Sequence, residues 1–210
     1  MVLLTLEEGT FLVRLARSTV TKYLIDSIKP SPPSPPSQRL YEKSGAFVTL
    51  EKLVGKERLL RGCIGYPLPH LPLIEAVMES AISAAVEDPR FPPLRKDELK
   101  EVVFEVSVLT PPVLLSVNNP KEYPKKIKVG RDGLIVEMGF YKGLLLPQVP
   151  VEYGWDEETF LSECCMKAGL PPDSWISSNV KIYTFTAEVF TELSPGGEVV
   201  KKSSFSSFNF

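Results

Sequence analysis

An arginine and a cysteine stand two residues apart within the run LLRGCIG, which spans residues 59–65. In a β-strand, residues i and i+2 project from the same face, so Arg61 and Cys63 are predicted to lie together while Leu60 and Ile64 point into a core. A neighbouring positive charge lowers the pKa of a thiol, and the thiolate is the reactive form. The spacing therefore predicts a nucleophilic site at Cys63, with Arg61 stabilising the thiolate or binding an anion.

Two glycines flank this cysteine, Gly62 directly before it and Gly65 two residues after it. Glycine lets a ligand approach the backbone closely, which makes both of them candidate binding residues. It equally lets a helix pack tightly over a sheet, and it often marks a β-bulge, where one extra residue changes the face of its neighbours. Since a free cysteine is usually a small buried apolar residue, a packing role for Cys63 stays open beside the reactive one.

Carboxylates, a second arginine and an amide are candidates for completing such a site. In the segment DPRFPP, Asp88 is expected to pair with Arg90 in a rigid turn, and the planar donor fork of Arg90 would alternatively contact an anion. Glu105 alternates with apolar neighbours along a predicted strand, so it forms a salt bridge or acts as a general base. Asp88 is a second acid–base candidate. Gln148, at the exit of a later hairpin, is a further candidate binding residue.

The sequence has one histidine, His70, and this limits the available chemistry. A Ser-His-Asp triad or a Cys-His pair would have to use that residue. No CxxC or HExxH pattern occurs, so no metal site of familiar spacing is expected. No phosphate-binding P-loop or dinucleotide-binding glycine pattern occurs either, and the sequence identifies no cofactor.

Net charge and amino-acid composition argue against several classes of protein. With a net charge of −2 and 24% charged residues, no overall field draws the chain to nucleic acid or to anionic lipid. The N-terminus has no basic region before its apolar residues, and no apolar run is long enough to span a membrane. Three cysteines, an odd number, argue against a disulfide framework. We therefore expect a soluble, cytoplasmic protein with no membrane partner.

The elements that must position these residues form a pattern that occurs twice. The first copy is a β-hairpin, a helix beginning at Pro72 and a strand over residues 102–109. The second copy is a hairpin whose second strand covers residues 144–149, then a helix and a strand over residues 181–190. We infer an internal β-β-α-β duplication and an α+β fold, in which two related units form two sheets with helices packed on their faces.

The predicted organisation has four parts. A capping box at Thr5 and Glu8 opens an N-terminal helix, and the run SPPSPPS that follows is either an extended surface loop or a docking peptide. The predicted parts are residues 1–44 for this helix and loop packing on the body, 45–116 for the first unit, 117–195 for the second unit and 196–210 for a C-terminal tail.

A basic segment stands between the two copies of the pattern. It contains Lys121, Lys125, Lys126, Lys128 and Arg131. Such a run is usually solvated, although a basic strip can also contact phosphates. Tyr123 is the one aromatic residue within it, so the pattern gives little indication of base stacking. Nucleic acid is therefore kept as an alternative partner.

These motifs together resemble the AMMECR-one family. The matching segments are LRGCIG at 60–65, EDPRFPPL at 87–94, EVSVL at 105–109, GLLLPQV at 143–149, WDEETFL at 155–161 and CCMKAGL at 164–170. The resemblance implies a two-part α+β fold in an intracellular protein with close relatives in archaea. It also implies a functional link to Memo-like or radical-SAM proteins, to which some members are fused. It carries over Arg61, Gly62, Cys63 and Gly65 as a functional motif, and it implies no particular reaction.

Two hypotheses about function follow. The first is an enzyme, or a factor in a modification pathway, with a site around Cys63. Its substrate, a small molecule or a macromolecule, is not identified by the sequence. The alternative is a non-catalytic binding or adaptor module for RNA or a protein partner, in which Cys63 only packs.

Overall fold

Thr5 is the N-cap of helix α1 (Leu6–Asp26), which starts where the sequence predicts. The predicted capping box is present: the Glu8 N–H donates to Thr5 Oγ1 over 3.2 Å, and the Thr5 N–H donates to Glu8 Oε2 over 2.8 Å. The same carboxylate also accepts hydrogen bonds from Arg39, in the short 3₁₀ helix that follows the proline-rich run. The helix is therefore fixed at its start by both local and distant contacts.

The computed structural model describes residues 4–55 and 57–202. The helices after α1 are α2 (Leu73–Val86), α3 (Tyr123–Lys126), α4 (Val149–Glu152) and α5 (Glu157–Lys167). The strands are β1 (Gly45–Val54), β2 (Glu57–Tyr66), β3 (Val102–Leu109), β4 (Val113–Leu114), β5 (Gly133–Met138), β6 (Tyr141–Leu145), β7 (Lys181–Phe185), β8 (Ala187–Glu192) and β9 (Val199–Lys202). Within the described ranges, no helix is long and apolar enough to cross a membrane.

The first sheet has the strand order β2-β1-β3-β8-β9. It belongs to a unit made of residues 4–109 and 188–202, in which α1 and α2 pack against the sheet around Phe104 and Leu50. Alternate residues of β3 enter this apolar core, and the residues between them, including Glu105, belong to the opposite face. Every residue of β3 is buried, so both faces of this strand are covered.

The second sheet has the strand order β4-β7-β5-β6 and belongs to a unit of residues 110–187. Helix α5 packs on β5 and β6, and Phe160 and Leu161 are fully buried in a core separate from the first. The two ends of this unit are hydrogen-bonded to each other. The Thr110 N–H donates to Thr186 O over 2.9 Å, and the Thr186 N–H donates to Thr110 Oγ1 over 2.8 Å.

The α+β prediction with two sheets and helices is confirmed. In each unit a hairpin is followed by a helix and a third strand that pairs with the first strand of the hairpin, which gives β2-β1-β3 and β6-β5-β7. Both hairpins also turn at a glycine of positive φ, Gly55 at 63° and Gly139 at 60°. A duplication would produce this shared order, and the duplication itself stays a prediction.

The boundaries of the parts differ from the predicted ones. The chain passes from the first unit to the second at residues 109 and 110 and returns at 187 and 188. The single strand predicted over residues 181–190 is two strands, β7 and β8, which belong to different sheets. Strand β9, within the predicted tail, extends the first sheet, and residues 203–210 of that tail lie outside the described residues.

Candidate functional site

The position of Cys63 is set by a β-bulge in β2. From the hairpin turn to Leu60, the residues of β1 and β2 pair one to one in an unbroken register. The register then shifts by one residue at Arg61, which has no partner on β1. Beyond the bulge, Cys63 pairs with Thr49. An unbroken register would have set Cys63 opposite Val48, whose side chain belongs to the apolar core. The bulge therefore turns the cysteine from the core face to the opposite face of the sheet.

On that face, Cys63, Thr49 and Glu105 form a row across three strands, because Thr49 pairs with Cys63 on one side and with Glu105 on the other. The Thr49 hydroxyl donates a hydrogen bond to Cys63 Sγ over 3.3 Å. Glu105 is 6% exposed, and Lys202 Nζ lies 2.5 Å from its Oε2. Since adjacent strands are about 4.8 Å apart, the backbones of Cys63 and Glu105 are separated by about 10 Å. A thiol, a hydroxyl and a carboxyl group are thus aligned on one face.

The loop after α2 holds the outer edge of β2 at Cys63. Asp88 Oδ2 accepts the Cys63 N–H over 2.9 Å, and Arg90 Nη2 donates to the Cys63 carbonyl over 3.2 Å. The predicted pair of Asp88 and Arg90 is present, with Nε to Oδ1 at 2.9 Å and Nη2 to Oδ2 at 2.7 Å. Both backbone groups of Cys63 therefore point away from Thr49. Its pair with Thr49 is of the non-hydrogen-bonded kind, which brings side chains closest.

The titratable groups in and beside the row of Cys63, Thr49 and Glu105 have pKa values shifted in different directions. Burial raises the pKa of the Cys63 thiol, although the hydrogen bond from Thr49 and the charge of Arg90 act in the opposite direction. Burial also raises the pKa of Glu105 against the opposing charge of Lys202. Hydrogen bonds from Arg90 lower the pKa of Asp88 to about 2. At neutral pH Cys63 is therefore a thiol and Asp88 is ionised.

The contacts of Arg61 differ from the predicted ones. Its Nε and Nη2 donate to the two carboxylate oxygens of Glu98 over 2.9 and 3.0 Å. Arg90 is a cation whose charge lowers the pKa of the Cys63 thiol, whereas Arg61 is paired with Glu98. The alternation that predicted a shared face ends at the bulge. For the same reason Leu60, predicted to face a core, is 43% exposed.

The two glycines of the motif are explained by packing. A methyl group at Gly62 would overlap the carbonyl oxygen of Ala84, near the end of α2. A methyl group at Gly65 would overlap the ring of Phe47 on the neighbouring strand. At Gly62 this is the tight packing of a helix over the sheet that the sequence left open as the alternative, whereas at Gly65 the close contact is with the neighbouring strand β1. A role for Gly62 and Gly65 in binding a ligand stays a prediction.

Two other candidates are not members of the row. Gln148 was expected within a strand over residues 144–149, at the exit of the second hairpin, and is instead the N-cap of α4 in the second unit. Its Oε1 is buried and has no hydrogen-bond partner among the residues that the structure describes. His70 is exposed in the loop before α2.

The remaining cysteines serve packing. Cys164 and Cys165 are fully buried in the core of the second unit, and burial raises their pKa to about 12 and about 11. Cys164 Sγ lies 3.6 Å from the Leu134 carbonyl and 3.7 Å from the Gly143 carbonyl, so it bridges α5 to β5 and β6. Cys63 is the one cysteine with partial exposure to solvent.

Sequence reasoning missed two members of the site. Thr49 is a polar residue in an apolar strand, a signal that becomes informative only when the register between β1 and β2 is known. Lys202 reaches Glu105 from β9, and no local pattern links two positions so far apart in the chain. Across residues 4–55 and 57–202, no three histidine, cysteine or acidic side chains are grouped to hold a metal ion.

The chain is similar in sequence to the proteins of one family and in fold to a solved structure. The model of the AMMECR1 family, the AMMECR-one family named above, matches residues 13–190. Protein MJ0810 of Methanocaldococcus jannaschii is 59% identical over 95% of this chain and 98% of its own length. Protein MK0488 of Methanopyrus kandleri is 60% identical over 93% and 94%. The crystal structure of the uncharacterized protein PH0010 of Pyrococcus horikoshii has 55% identity and a TM-score of 0.86, covering 93% of this chain and 97% of that one.

Proposed function

The chain belongs to the AMMECR1 family, and we propose that its first unit carries a thiol-dependent group-transfer site with Cys63 as the nucleophile. One observation carries the proposal: Glu105, in a strand buried on both faces, is in the same cross-strand row as a half-buried thiol. A buried carboxylate lowers stability unless it is well paired, and packing alone would favour an apolar residue there. Buried acids with a shifted pKa beside a nucleophile are typical of active sites.

The two acid–base candidates have different roles in this proposal. Asp88 is held ionised by Arg90 and accepts the Cys63 N–H, so it is a weak base that fixes the backbone of the nucleophile. Burial raises the pKa of Glu105 above that of an ordinary carboxyl group, and its ion-pair partner is Lys202, so it is a stronger base than Asp88 and can accept and return a proton. Thr49 orients the thiol and stabilises its ionised form through the hydrogen bond to Sγ.

The proposed step is nucleophilic substitution at an electrophilic carbon. Cys63 Sγ forms a bond to that carbon, and the bond from the carbon to the leaving group breaks, with the electron pair going to the leaving group. The thiol proton passes to the Glu105 carboxylate by way of the Thr49 hydroxyl, which lies between them in the row, and the same route returns it to the leaving group. Water or a second nucleophile then releases the transferred group and restores the thiol.

We also propose that this chain works in the cytoplasm. All three cysteines are free, and the half-buried Cys63 thiol would be exposed to oxidation in an extracellular setting. A reducing compartment keeps such a nucleophile active. Recovery of the chain in a cytosolic fraction with Cys63 unmodified, measured by mass spectrometry of thiols trapped at lysis, is the expected result.

Alkylation with iodoacetamide tests whether Cys63 can act as a nucleophile. In the folded protein, Cys63 should be labelled before Cys164 and Cys165, which are the internal controls, at a rate that rises with pH. Thr49→Val should raise the midpoint of this pH profile and Glu105→Gln should lower it, because the removed groups act on the thiol in those directions. Labelling of Cys63 as slow as that of Cys164 would remove the nucleophile role.

Acylation with 4-nitrophenyl acetate tests the proton transfer. One equivalent of 4-nitrophenolate should be released as Cys63 becomes acetylated. No acetylated protein should form in the Cys63→Ser variant. Glu105→Gln should slow this acylation by about ten-fold or more, since general bases contribute at least that much. Equal acylation rates in Glu105→Gln and the unchanged protein would show that Glu105 is not the base.

A second candidate function, an RNA-binding module, is supported by the basic segment. Lys121, Lys125, Lys126 and Lys128 are exposed, and their ammonium groups make no ion pair with any residue that the structure describes. Phosphate binding by these lysines would release counterions, so affinity for a single-stranded RNA oligonucleotide would fall steeply with added salt. Binding that is absent, or that does not depend on salt, would exclude this candidate.

A further inference from the structure

The guanidinium of Arg90 is fixed beside Cys63 on one side and open on the other. Its Nε and Nη2 donate to Asp88, and Nη2 also donates to the Cys63 carbonyl. The charged end lies 5.5 Å from the centre of the Phe91 ring, which restricts it further. Among the described residues, Nη1 has no hydrogen-bond partner. Arg90 therefore keeps two N–H donors free, in an orientation set before any ligand binds.

The charge that this ion pair presents to solvent is positive. The Arg90 side chain is 53% exposed, whereas its partner Asp88 is 2% exposed. The two carboxylate oxygens of Asp88 accept hydrogen bonds from Nε and Nη2 of Arg90, on the edge of the guanidinium away from Nη1. Each oxygen also accepts a backbone N–H, Oδ1 from Arg90 and Oδ2 from Cys63. A molecule that approaches this ion pair from solvent thus meets the cation and not the carboxylate. Because the arginine is already ordered, little side-chain entropy is lost when an anion binds to it.

We propose that the substrate of Cys63 carries an oxyanion, a carboxylate or a phosphate, which Arg90 binds through Nη1. This inference rests on the proposed function, since it names the class of molecule that the thiol attacks. Arginine is suited to this task because its planar donors match the geometry of both oxyanions. The electrophilic carbon and the anionic group must be close together in one small molecule or at one end of a larger one.

The ratio of two alkylation rates measures this anion preference directly. Iodoacetate carries a carboxylate and iodoacetamide does not, while both react with the same thiolate, so changes in the pKa or accessibility of Cys63 cancel in the ratio. In Arg90→Gln, the ratio of iodoacetate to iodoacetamide rates should fall by about five-fold, the effect of one nearby charge in water. In Arg90→Lys, which keeps the charge, the ratio should stay within about two-fold of the original.

Arg95 provides the matched control. Like Arg90, it binds a carboxylate two residues away through Nε and Nη2, in this case that of Asp97, and its side chain is 72% exposed. Its guanidinium binds Asp97, whereas that of Arg90 also contacts the Cys63 carbonyl. Arg95→Gln should therefore leave the ratio unchanged. If Arg95→Gln lowered the ratio of the two alkylation rates as much as Arg90→Gln does, the ratio would depend on surface charge in general. That result would overturn the proposal.

The outcomes separate the two proposals. If neither reagent labels Cys63, the proposed function fails. If both label it and Arg90→Gln leaves the ratio unchanged, the oxyanion inference fails while the nucleophile remains. Inorganic phosphate and acetate, added separately at equal ionic strength, then identify the anion: the one that slows iodoacetate labelling more is the one that Arg90 prefers. Slowing by neither would overturn the inference.

Discussion

At the residue scale, Glu105 links stability to pH in an unusual direction. Its pKa is raised by burial, so its favourable contribution is fully present below its ordinary pKa of 4.5 and is lost as the pH rises through the raised value. Glu105→Gln, which stays neutral, should therefore gain stability relative to the unchanged protein as the pH rises from 4.5 through the raised pKa. Urea denaturation across this range measures the difference. Exposed Glu57→Gln is the control, and a difference that is independent of pH would contradict the prediction.

Asp88 has the opposite dependence. Its pKa is lowered from 3.8 to about 2 by Arg90, so its contribution is present above the ordinary pKa and is lost as the pH falls through about 2. Asp88→Asn should lower the free energy of unfolding by about 2 kcal/mol at neutral pH, and less as the pH approaches 2. Asp97→Asn, which breaks the exposed pair with Arg95, should change it little. An equal loss in the two variants, measured by urea denaturation, would show that burial of Asp88 is unimportant.

The sequence predicts only the local part of the site. The pairing of Asp88 with Arg90 follows from two residues held in one rigid turn. The alignment of Cys63 with Thr49 does not, because counting from the hairpin turn would set Thr49 opposite Gly62. The bulge at Arg61 decides the face of the cysteine, and a glycine next to it fits either register.

At the element scale, each unit has a helix packed on a glycine in the second strand of its hairpin. In β2 this is Gly62 beneath Ala84, and in β6 it is Gly143, where a methyl group would lie 2.7 Å from Cys164 O. By this packing, the counterpart of Arg61-Gly62-Cys63 in the second unit is Lys142-Gly143-Leu144, which contains no cysteine.

Replacing either glycine should separate helix from sheet. Gly62→Ala and Gly143→Ala should each lower the free energy of unfolding by about 3 kcal/mol, since the atoms they would meet are backbone atoms that cannot move aside. Gly55→Ala, which has open space but a φ of 63°, should cost about 1 kcal/mol. Thermal or urea denaturation distinguishes the two effects. A loss at Gly62 no larger than that at Gly55 would mean that α2 is not closely packed there.

Helices and strands could be predicted from the sequence where a single local pattern determines them. Strand β3 runs from Val102 to Leu109, and α1 begins after Thr5, as alternation and capping predict. The change of sheet between β7 and β8 could not be read from the sequence, because alternation continues through it. The second hairpin turns at Gly139, two residues before β6, so the predicted strand over residues 144–149 begins too late.

At the scale of the whole molecule, the second unit is one uninterrupted segment with its own core. We expect residues 110–187, expressed alone, to fold, because their apolar core and four-stranded sheet are built from that segment only. A cooperative urea transition followed by circular dichroism is the expected result. Leu161→Ala, which opens a cavity in this core, should lower its midpoint. A gradual loss of signal with no transition would contradict the prediction.

The hydrogen bonds between Thr110 and Thr186 also determine how this molecule responds to mechanical force. When the chain is pulled from its two ends, tension is carried first by the residues before 110 and after 187, because the entry and exit of the inserted segment are fixed to each other. The second unit is loaded only after the first has opened. Its load then falls on the Thr110 and Thr186 contacts. The molecule should therefore extend in two steps of fixed order.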